Sequence, residues 1–442
     1  MKTAQDETQL AVVPEGAMQA GETSPKDWEW VERHVWTERM LEALVKGVKG
    51  GVWFSLIDKI QRPSTLTAAW VAVKRNKGSA GSDHQSIEDF EKGLAEEIAR
   101  LSEALRTGSY QPRPIRRVYI DKPGSKEKRP LGIPCVRDRV VQGALRMVIE
   151  PIFENVFTGH SYGFRPRRGC KDALREVAGY TQVVDADIKA YFDNIAHDPL
   201  MADIGCYIAD GRVLELVGSF LKQDILEDMA LWTPEKGSPQ GAVVSPLLAN
   251  LYLHPVDVAM ASAGFEMIRY ADDLVALCRS EAEARMALDL LGKLTTERGL
   301  TLHPDKTRLV DMSIPGEGFD FLGYHFERGT RWPRPKSLRK LKDTIRSKTK
   351  RNSGRSMAAT IEDVNATLTG WFEYFKHSYK PTFHIVDKWV RRRLRSILRR
   401  RKRLHGISRG YDHFRWPNEF FRVHGLYSLV EAHRALLRSS MR

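Results

Sequence analysis

The chain has 442 residues, enough for two to four domains at roughly 100–200 residues each, and its 42% of hydrophobic residues argues against wholesale disorder. Its four cysteines (Cys135, Cys170, Cys206, Cys278) stand far apart without a C-x-x-C, which excludes a zinc ribbon or a disulfide scaffold and points to a reducing compartment. The net charge of +14 points to a polyanionic partner; the long uncharged run 237–256 is broken by Pro239, Pro246 and Pro255 and is no membrane span, and the first 25 residues carry no apolar stretch of a secretion signal.

In chain order, residues 1–27 are polar and aperiodic, so a mobile leading segment is expected. Amphipathic helices are expected from Trp28 to about Val48 and from Thr65 to Lys74. A loop bearing Gly78, Gly81 and Asp83 precedes a helix running to about Arg106. Arg117–Asp121 and Lys128–Pro134 read as two strands around a polar turn, and Asp138–Phe157 as a helix. Gln182–Ile188 is an apolar strand, Met267–Cys278 a hairpin and Phe319–Phe326 a strand pair, and from Arg334 the pattern is helical throughout. Strands mixed with helices, then helices alone, predict an α+β body and an all-α C-terminal region joined near Arg331–Pro335.

The charge follows the same division. From Arg331 to Arg442 there are 29 Lys/Arg against 8 Asp/Glu, a net of +21, while the other 330 residues carry −7. Lys388–Arg403 holds ten basic residues in sixteen and no acid, with Trp389, Val390, Leu394, Ile397 and Leu398 at helical spacing. A plain solvated face would mix both signs, because like charges four apart repel. A basic helix for nucleic acid, ahead of anionic lipid, is the expectation.

Two acidic segments carry the chemistry. In Met267–Cys278 two apolar runs flank the pair Asp272-Asp273, which places adjacent carboxylates at a hairpin turn. Such crowding costs energy unless a cation is shared, although an ordinary Asp-containing turn has the same look. In Gln182–Asp193, strand alternation puts Asp185 and Asp187 on one face, while a helix N-cap would equally suit Asp187 or Asp193. Asp187 with Asp272 and Asp273 would make a trio able to hold two Mg²⁺ ions about 4 Å apart, as nucleotidyl transfer requires.

These residues resemble a known family. Tyr270-Ala271-Asp272-Asp273 matches the Y-x-D-D box of reverse transcriptases, and Asp185–Asp193 their first catalytic box. Lys128–Arg139, Ser161–Cys170, Gly237–Asn250 and Gly318–Tyr324 resemble blocks of group II intron-encoded proteins, in the family's order. Gly370–Phe375 and the basic helix resemble that family's maturase, or thumb, region, so the resemblance spans roughly Trp28 to the C-terminus. It implies a right-hand polymerase: a mobile segment over 1–27, fingers and palm over 28–330, a helical thumb over 331–404 and a short tail over 405–442 that touches DNA.

The resemblance further implies roles. Asp187, Asp272 and Asp273 would be the metal ligands, Asp187 and Asp272 the more essential. Lys122 and Arg129 would clamp the incoming triphosphate, with plain surface charge as the alternative. Phe192 would be the gate against a ribose 2′-hydroxyl, although an aromatic beside a strand end is usually core. Gln240 and Gly241 would lie against the nascent pair, and Lys306 would neutralise or protonate pyrophosphate. Tyr162, Phe164 and Arg165 suit RNA contact by stacking and phosphate pairing, with core packing as the alternative for the two aromatics. Arg391, Arg392, Arg393, Arg395, Arg399 and Arg400 would bind RNA. Trp371, Phe372, Tyr374 and Phe375 read as thumb core.

Larger relatives end in a zinc-binding H-N-H nuclease, whereas the last cysteine here is Cys278, so the compact type without that nuclease is expected. The implied partners are a group II intron RNA, an RNA template with its DNA primer, dNTPs and target DNA, and no membrane; the implied setting is a bacterial cytoplasmic ribonucleoprotein. A domesticated polymerase in repair or defence, and a splicing-only maturase, are the competing readings. Ala271 favours the mobile-intron enzyme, and an intact acidic trio argues against an idle polymerase.

Overall fold

The computed structural model describes residues 28–48, 50–121, 128–177, 180–406 and 410–439. It divides into two compact units, one holding the described residues up to 176 with 184–309, the other residues 177–183 with 310–442.

The first unit is built around the Val136–Glu154 helix, most of whose side chains are buried. Apolar residues all round a helix mean that it is enclosed, and the Pro63–Asn76 helix packs along it. The expected helix from Trp28 shortens to Glu38–Lys46. Trp36 explains the difference: fully buried, it donates its indole N–H to the Met147 carbonyl at 3.1 Å, and this tertiary anchor holds the preceding residues in turns. The helix expected to reach Arg106 is two, Ile87–Lys92 and Leu94–Thr107, divided at Gly93.

Strands β1 (Ile115–Asp121) and β2 (Lys128–Ile133) pair antiparallel, Arg117 facing Gly132 and Ile120 facing Arg129. Strand β3 (Gln182–Asp187) follows, and then the short β4 (Ile225–Glu227) and β5 (Ala230–Trp232) complete a sheet ordered β2-β1-β4-β5. Strands β6 (Glu266–Tyr270) and β7 (Asp273–Cys278) form the expected hairpin, and β8 (Arg308–Asp311) closes a second sheet ordered β6-β7-β3-β8. The apolar strands of this sheet lie on the main core, with helices Ser245–Ser262 and Glu281–Glu297 packed against β6 and β7. Two neighbouring strands thus end at the acidic residues, Asp187 closing β3 and Asp273 opening β7.

In the second unit β9 (Phe319–Phe321), β10 (Tyr324–Glu327) and β11 (Thr330–Pro333) make a meander ordered β11-β10-β9. It packs on the Met357–Phe375 helix through a reciprocal pair: Tyr324 donates to the Tyr374 carbonyl and Tyr374 to the Leu322 carbonyl, both at 2.7 Å. Helices Pro335–Lys348, Met357–Phe375 and Pro381–Arg401 share a core that includes Phe372, Phe383, Val390, Leu394 and Ile397. The apolar stripe of the basic helix is therefore its buried seam. Among the described residues no helix is long and apolar enough to cross a membrane.

One carboxyl inside the first unit makes stability pH-dependent. Asp138, fully buried, accepts the Tyr110 hydroxyl at 2.7 Å and the Arg113 amide at 3.0 Å, yet burial outweighs both and pushes it up to about 6. The folded state then holds a proton that the unfolded chain releases near pH 4, so this contribution is complete below pH 4 and lost as pH rises through 6. Urea unfolding at pH 4 and pH 7 should show wild type losing on the order of 2–3 kcal/mol more across that window than Asp138→Asn.

Candidate active site

The hairpin carrying Asp272 is fixed by a buried cation. Arg269, 1% exposed, sits in β6 among apolar neighbours and clasps Asp257 with Nε at 2.8 Å and Nη2 at 2.6 Å. Its Nη1 donates to Asn250 Oδ1 at 2.9 Å and to the Ala271 carbonyl at 3.2 Å, inside the turn itself. Asn250 donates to the Gly163 carbonyl at 2.7 Å. Gly163 lies so close that a Cβ there would collide with the Ala271 backbone nitrogen, and Ala271 has a left-handed φ of 59°. The turn is held from below by Arg269 and from the side by Gly163.

Asp187 faces this turn from the end of β3. Its Oδ2 accepts Lys306 Nζ at 2.7 Å. Lys306 arrives because 301–303 runs beside β3: Lys189 donates to Thr301, His303 donates to Asp187, and Ile188 bridges Leu302. The Asp272 carboxyl is raised above its ordinary value by burial first, then by the negative charge of Asp187, against the lowering pull of Arg129 and Lys306. Asp187, Asp272, Arg129 and Lys306 thus share one electrostatic field. Asp273 stands beside them at the more exposed start of β7.

The three carboxylates do not collapse onto one point. Among the described residues only His160, Glu176 and Glu266 bring three ligand atoms within 4.8 Å of one another, and there Glu176 already accepts the Tyr162 hydroxyl and faces His160 Nδ1 at 2.7 Å. At Asp272 burial and the charge of Asp187 raise the carboxyl, the donors of the pair are all hard oxygens, and the nearest counter-charges are side-chain cations. Such a set fits divalent ions of the magnesium class.

The remaining predicted residues divide. Phe192 is half-buried, its ring edge-on to Tyr191 at 5.5 Å and to Phe164 at 6.4 Å. Its carbonyl accepts the Ser238 amide at 2.8 Å, which ties it to the loop bearing Gln240 and Gly241. The Gln240 carbonyl accepts the Gly132 amide at 2.7 Å, and Gly241, at φ 108°, lies where a Cβ would meet the Gly132 carbonyl oxygen. Arg129 is exposed on β2. Lys122 lies outside the described residues.

Two of the three RNA contacts expected in the Ser161–Cys170 block are corrected. Arg165 is buried: it pairs with Glu154 at 3.0 Å, donates to the Thr158 and Ser161 carbonyls, and lies over the Phe157 ring. Tyr162 is buried as well, with its hydroxyl on Glu176 and its amide on the Arg269 carbonyl. Tyr162 splints β6, while Arg165 ties its own segment back to Glu154. Phe164 alone, 43% exposed, stays accessible.

The basic helix needs a similar correction. Arg395, 1% exposed, donates to the Trp416 carbonyl and Asn418 and covers the Phe421 ring. Arg399 grips Asp412 and the His405 carbonyl, and Arg393 caps the Pro335–Lys348 helix through the Thr349 carbonyl. These cations satisfy carbonyls inside the helical unit. Arg391 is half-buried near Asp387 at 3.9 Å, and Arg392 and Arg400 are exposed.

The fold and this paired acidic site accord with the reverse transcriptase class: residues 120–326 match the reverse transcriptase (RNA-dependent DNA polymerase) family and residues 338–413 the group II intron maturase-specific domain. The chain is 32% identical to protein YkfC of Escherichia coli over 319 residues, covering 62% of this chain and 83% of that one. It is 41% identical over 211 residues to the group II intron-encoded protein LtrA of Lactococcus lactis, covering 47% of this chain and 35% of LtrA, so the match spans about a third of that relative's length. A chain of the solved partial Cas6-RT-Cas1–Cas2 complex aligns at 26% identity over 55% of this chain and 41% of that one, with a TM-score of 0.36. The protein belongs to the group II intron-encoded reverse transcriptase/maturase family. Reverse transcriptases use divalent metal ions.

Asp257, Asn250 and Arg269 were not singled out from the sequence, although an arginine between Ile268 and Tyr270 in an apolar strand was a legible signal. Removing one partner of a buried pair leaves the other charge uncompensated. Asp257→Ala should therefore cost about 3–5 kcal/mol in urea unfolding. Adding Arg269→Met should restore part of that loss, which a double-mutant cycle would read as coupling.

Proposed function

We propose that the chain is an RNA-directed DNA polymerase that also binds a group II intron RNA as its maturase. The observation that carries this reading is the shared field of Asp187 and Asp272, two carboxylates brought together from separate strands beside Arg129 and Lys306. Asp187, Asp272 and Asp273 would hold Mg²⁺, which activates the primer 3′-hydroxyl and steadies charge on the phosphate when bound. Arg129 pairs with the triphosphate of the incoming dNTP, with Lys122 as its partner from the sequence. Phe192 would be the gate that a ribose 2′-hydroxyl meets, and Phe164 lies edge-on to its ring. Gly241 lets backbone approach the base pair without a side chain in between. Lys306 Nζ supplies charge, and a proton, to the departing pyrophosphate.

The same residues support, as substrates, an RNA template with a DNA primer, dNTPs, and intron RNA on the helical unit's exposed arginines. Target DNA is the partner the tail would meet. A ribonucleoprotein in the bacterial cytoplasm is the setting. A splicing-only maturase is the second reading, favoured by the strongly basic C-terminal quarter, and the same experiment separates the two.

Primer extension on an RNA template should require Mg²⁺, stop with EDTA, and be abolished by Asp187→Ala or Asp272→Ala. Asp273→Ala should leave a measurable remnant. Unchanged synthesis in Asp272→Ala would remove the site assignment. For the RNA surface, Arg392→Gln with Arg400→Gln should weaken RNA binding without moving the melting temperature, and should flatten the log–log salt slope by about two. Arg395→Ala should instead lower the melting temperature.

A further inference from the structure

At the end of β6 opposite the acidic turn lies a second group of metal-ligating side chains, which the polymerase chemistry does not use. His160 stands in the loop before Tyr162, Glu176 closes the Cys170–Glu176 helix, and Glu266 opens β6. One imidazole nitrogen and two carboxylate oxygens from these three elements lie within 4.8 Å of one another. All three residues are half-buried and belong to the first unit.

The donor set is mixed, which separates it from a patch of surface acids. His160 Nδ1 and Glu176 Oε2 already face each other at 2.7 Å. Donors held about 2.0–2.2 Å from one ion stand roughly 3–3.5 Å apart, so small side-chain rotations complete the set. The other Glu176 oxygen accepts the hydroxyl of Tyr162, a side chain 4% exposed. That bond fixes the direction of the carboxylate, as the outer-shell partner of a metal ligand does. An imidazole beside two carboxylates suits a borderline transition dication and disfavours Mg²⁺, which prefers oxygen donors.

We propose that His160, Glu176 and Glu266 form a binding site for a transition-metal dication of the Zn²⁺ class, separate from the acidic trio. The ion takes the Nδ1 lone pair and one oxygen from each carboxylate, with water completing its shell. The hydrogen now shared between Nδ1 and Glu176 gives way, and the imidazole keeps its Nε2–H. The role of the site is mechanical. The His160 carbonyl accepts the Arg269 amide and the Tyr162 amide donates to the Arg269 carbonyl, both at 2.9 Å, so this segment pairs with β6 at the very residue that holds the hairpin turn. An ion joining Glu266 to His160 and Glu176 clamps the segment and the helix end onto the strand. The inference is independent of the polymerase reading, which concerns other ligands.

The test is isothermal titration calorimetry of the EDTA-stripped full chain with zinc chloride, in wild type and in an Asp187→Asn/Asp272→Asn background where the acidic pair is disabled. In that background one Zn²⁺ per chain should still bind with micromolar affinity, and millimolar Mg²⁺ should not displace it. A hundredfold excess over Kd should raise the melting temperature by about 3 °C. His160→Ala and Glu266→Gln should each remove the binding and leave the metal-free melting temperature at the parent value. Tyr162→Phe should weaken it about tenfold, because Glu176 loses its outer-shell donor. Zinc should also slow amide exchange at Tyr162 and Arg269, which ions scattered over the surface would not do. Zinc binding unchanged in either His160→Ala or Glu266→Gln, or binding that wild type shows and the Asp187→Asn/Asp272→Asn chain lacks, overturns the proposal. The readout is zinc binding, so a chain without polymerase activity would sink the catalytic reading and leave this one standing.

Discussion

The acidic site depends on a buried cation that never touches substrate. Arg269 gathers Asp257, Asn250 and the Ala271 carbonyl beneath the hairpin turn, so that the turn's position is set by hydrogen bonds running into the core. Adjacent carboxylates at a turn repel each other and resist burial, and a loose turn would relieve both penalties by swinging Asp272 into water. The guanidinium below and Gly163 alongside prevent that relaxation. The raised carboxyl of Asp272 is the result: the electrostatic cost is kept at the site, where a divalent ion would relieve it.

The alternation of apolar and acidic residues in Met267–Cys278 and Gln182–Asp187 was legible because strand periodicity and a two-residue turn are local properties. The convergence of Asp187 on Asp272 was inferred from the match of motifs, since no local signal says that two strands are neighbours. The block Ser161–Cys170 shows the opposite failure. Its aromatics and arginines have the composition of an RNA-reading segment, yet Tyr162 and Arg165 turn inward because Glu176, Glu154 and bare carbonyls wait there. Those partners lie within 14 residues along the chain, yet no local pattern says that the side chains turn toward them.

The basic helix makes the same point about charge. Ten basic residues in sixteen announce a polyanion partner, and the sequence carries their sign but not their direction. Arg393, Arg395 and Arg399 close helix ends and loop carbonyls, a task for which a guanidinium with five donors is better suited than lysine. Arg392 and Arg400 keep their charge at the surface. A repetitive run of arginines thus contains two populations, and only their partners tell them apart.

The seam between Thr181 and Met312 has a bearing on how the protein is made. The Met312 amide donates to the Thr181 carbonyl at 2.7 Å, and Thr181 groups with the unit that begins at Val310 and not with the first unit. The ribosome delivers Thr181 long before its companion emerges. A fragment that starts at residue 310 is born without that edge, so the helical half is not an autonomous cassette to be excised by trimming the gene from one side; it borrows a splice of backbone from the middle of the polypeptide.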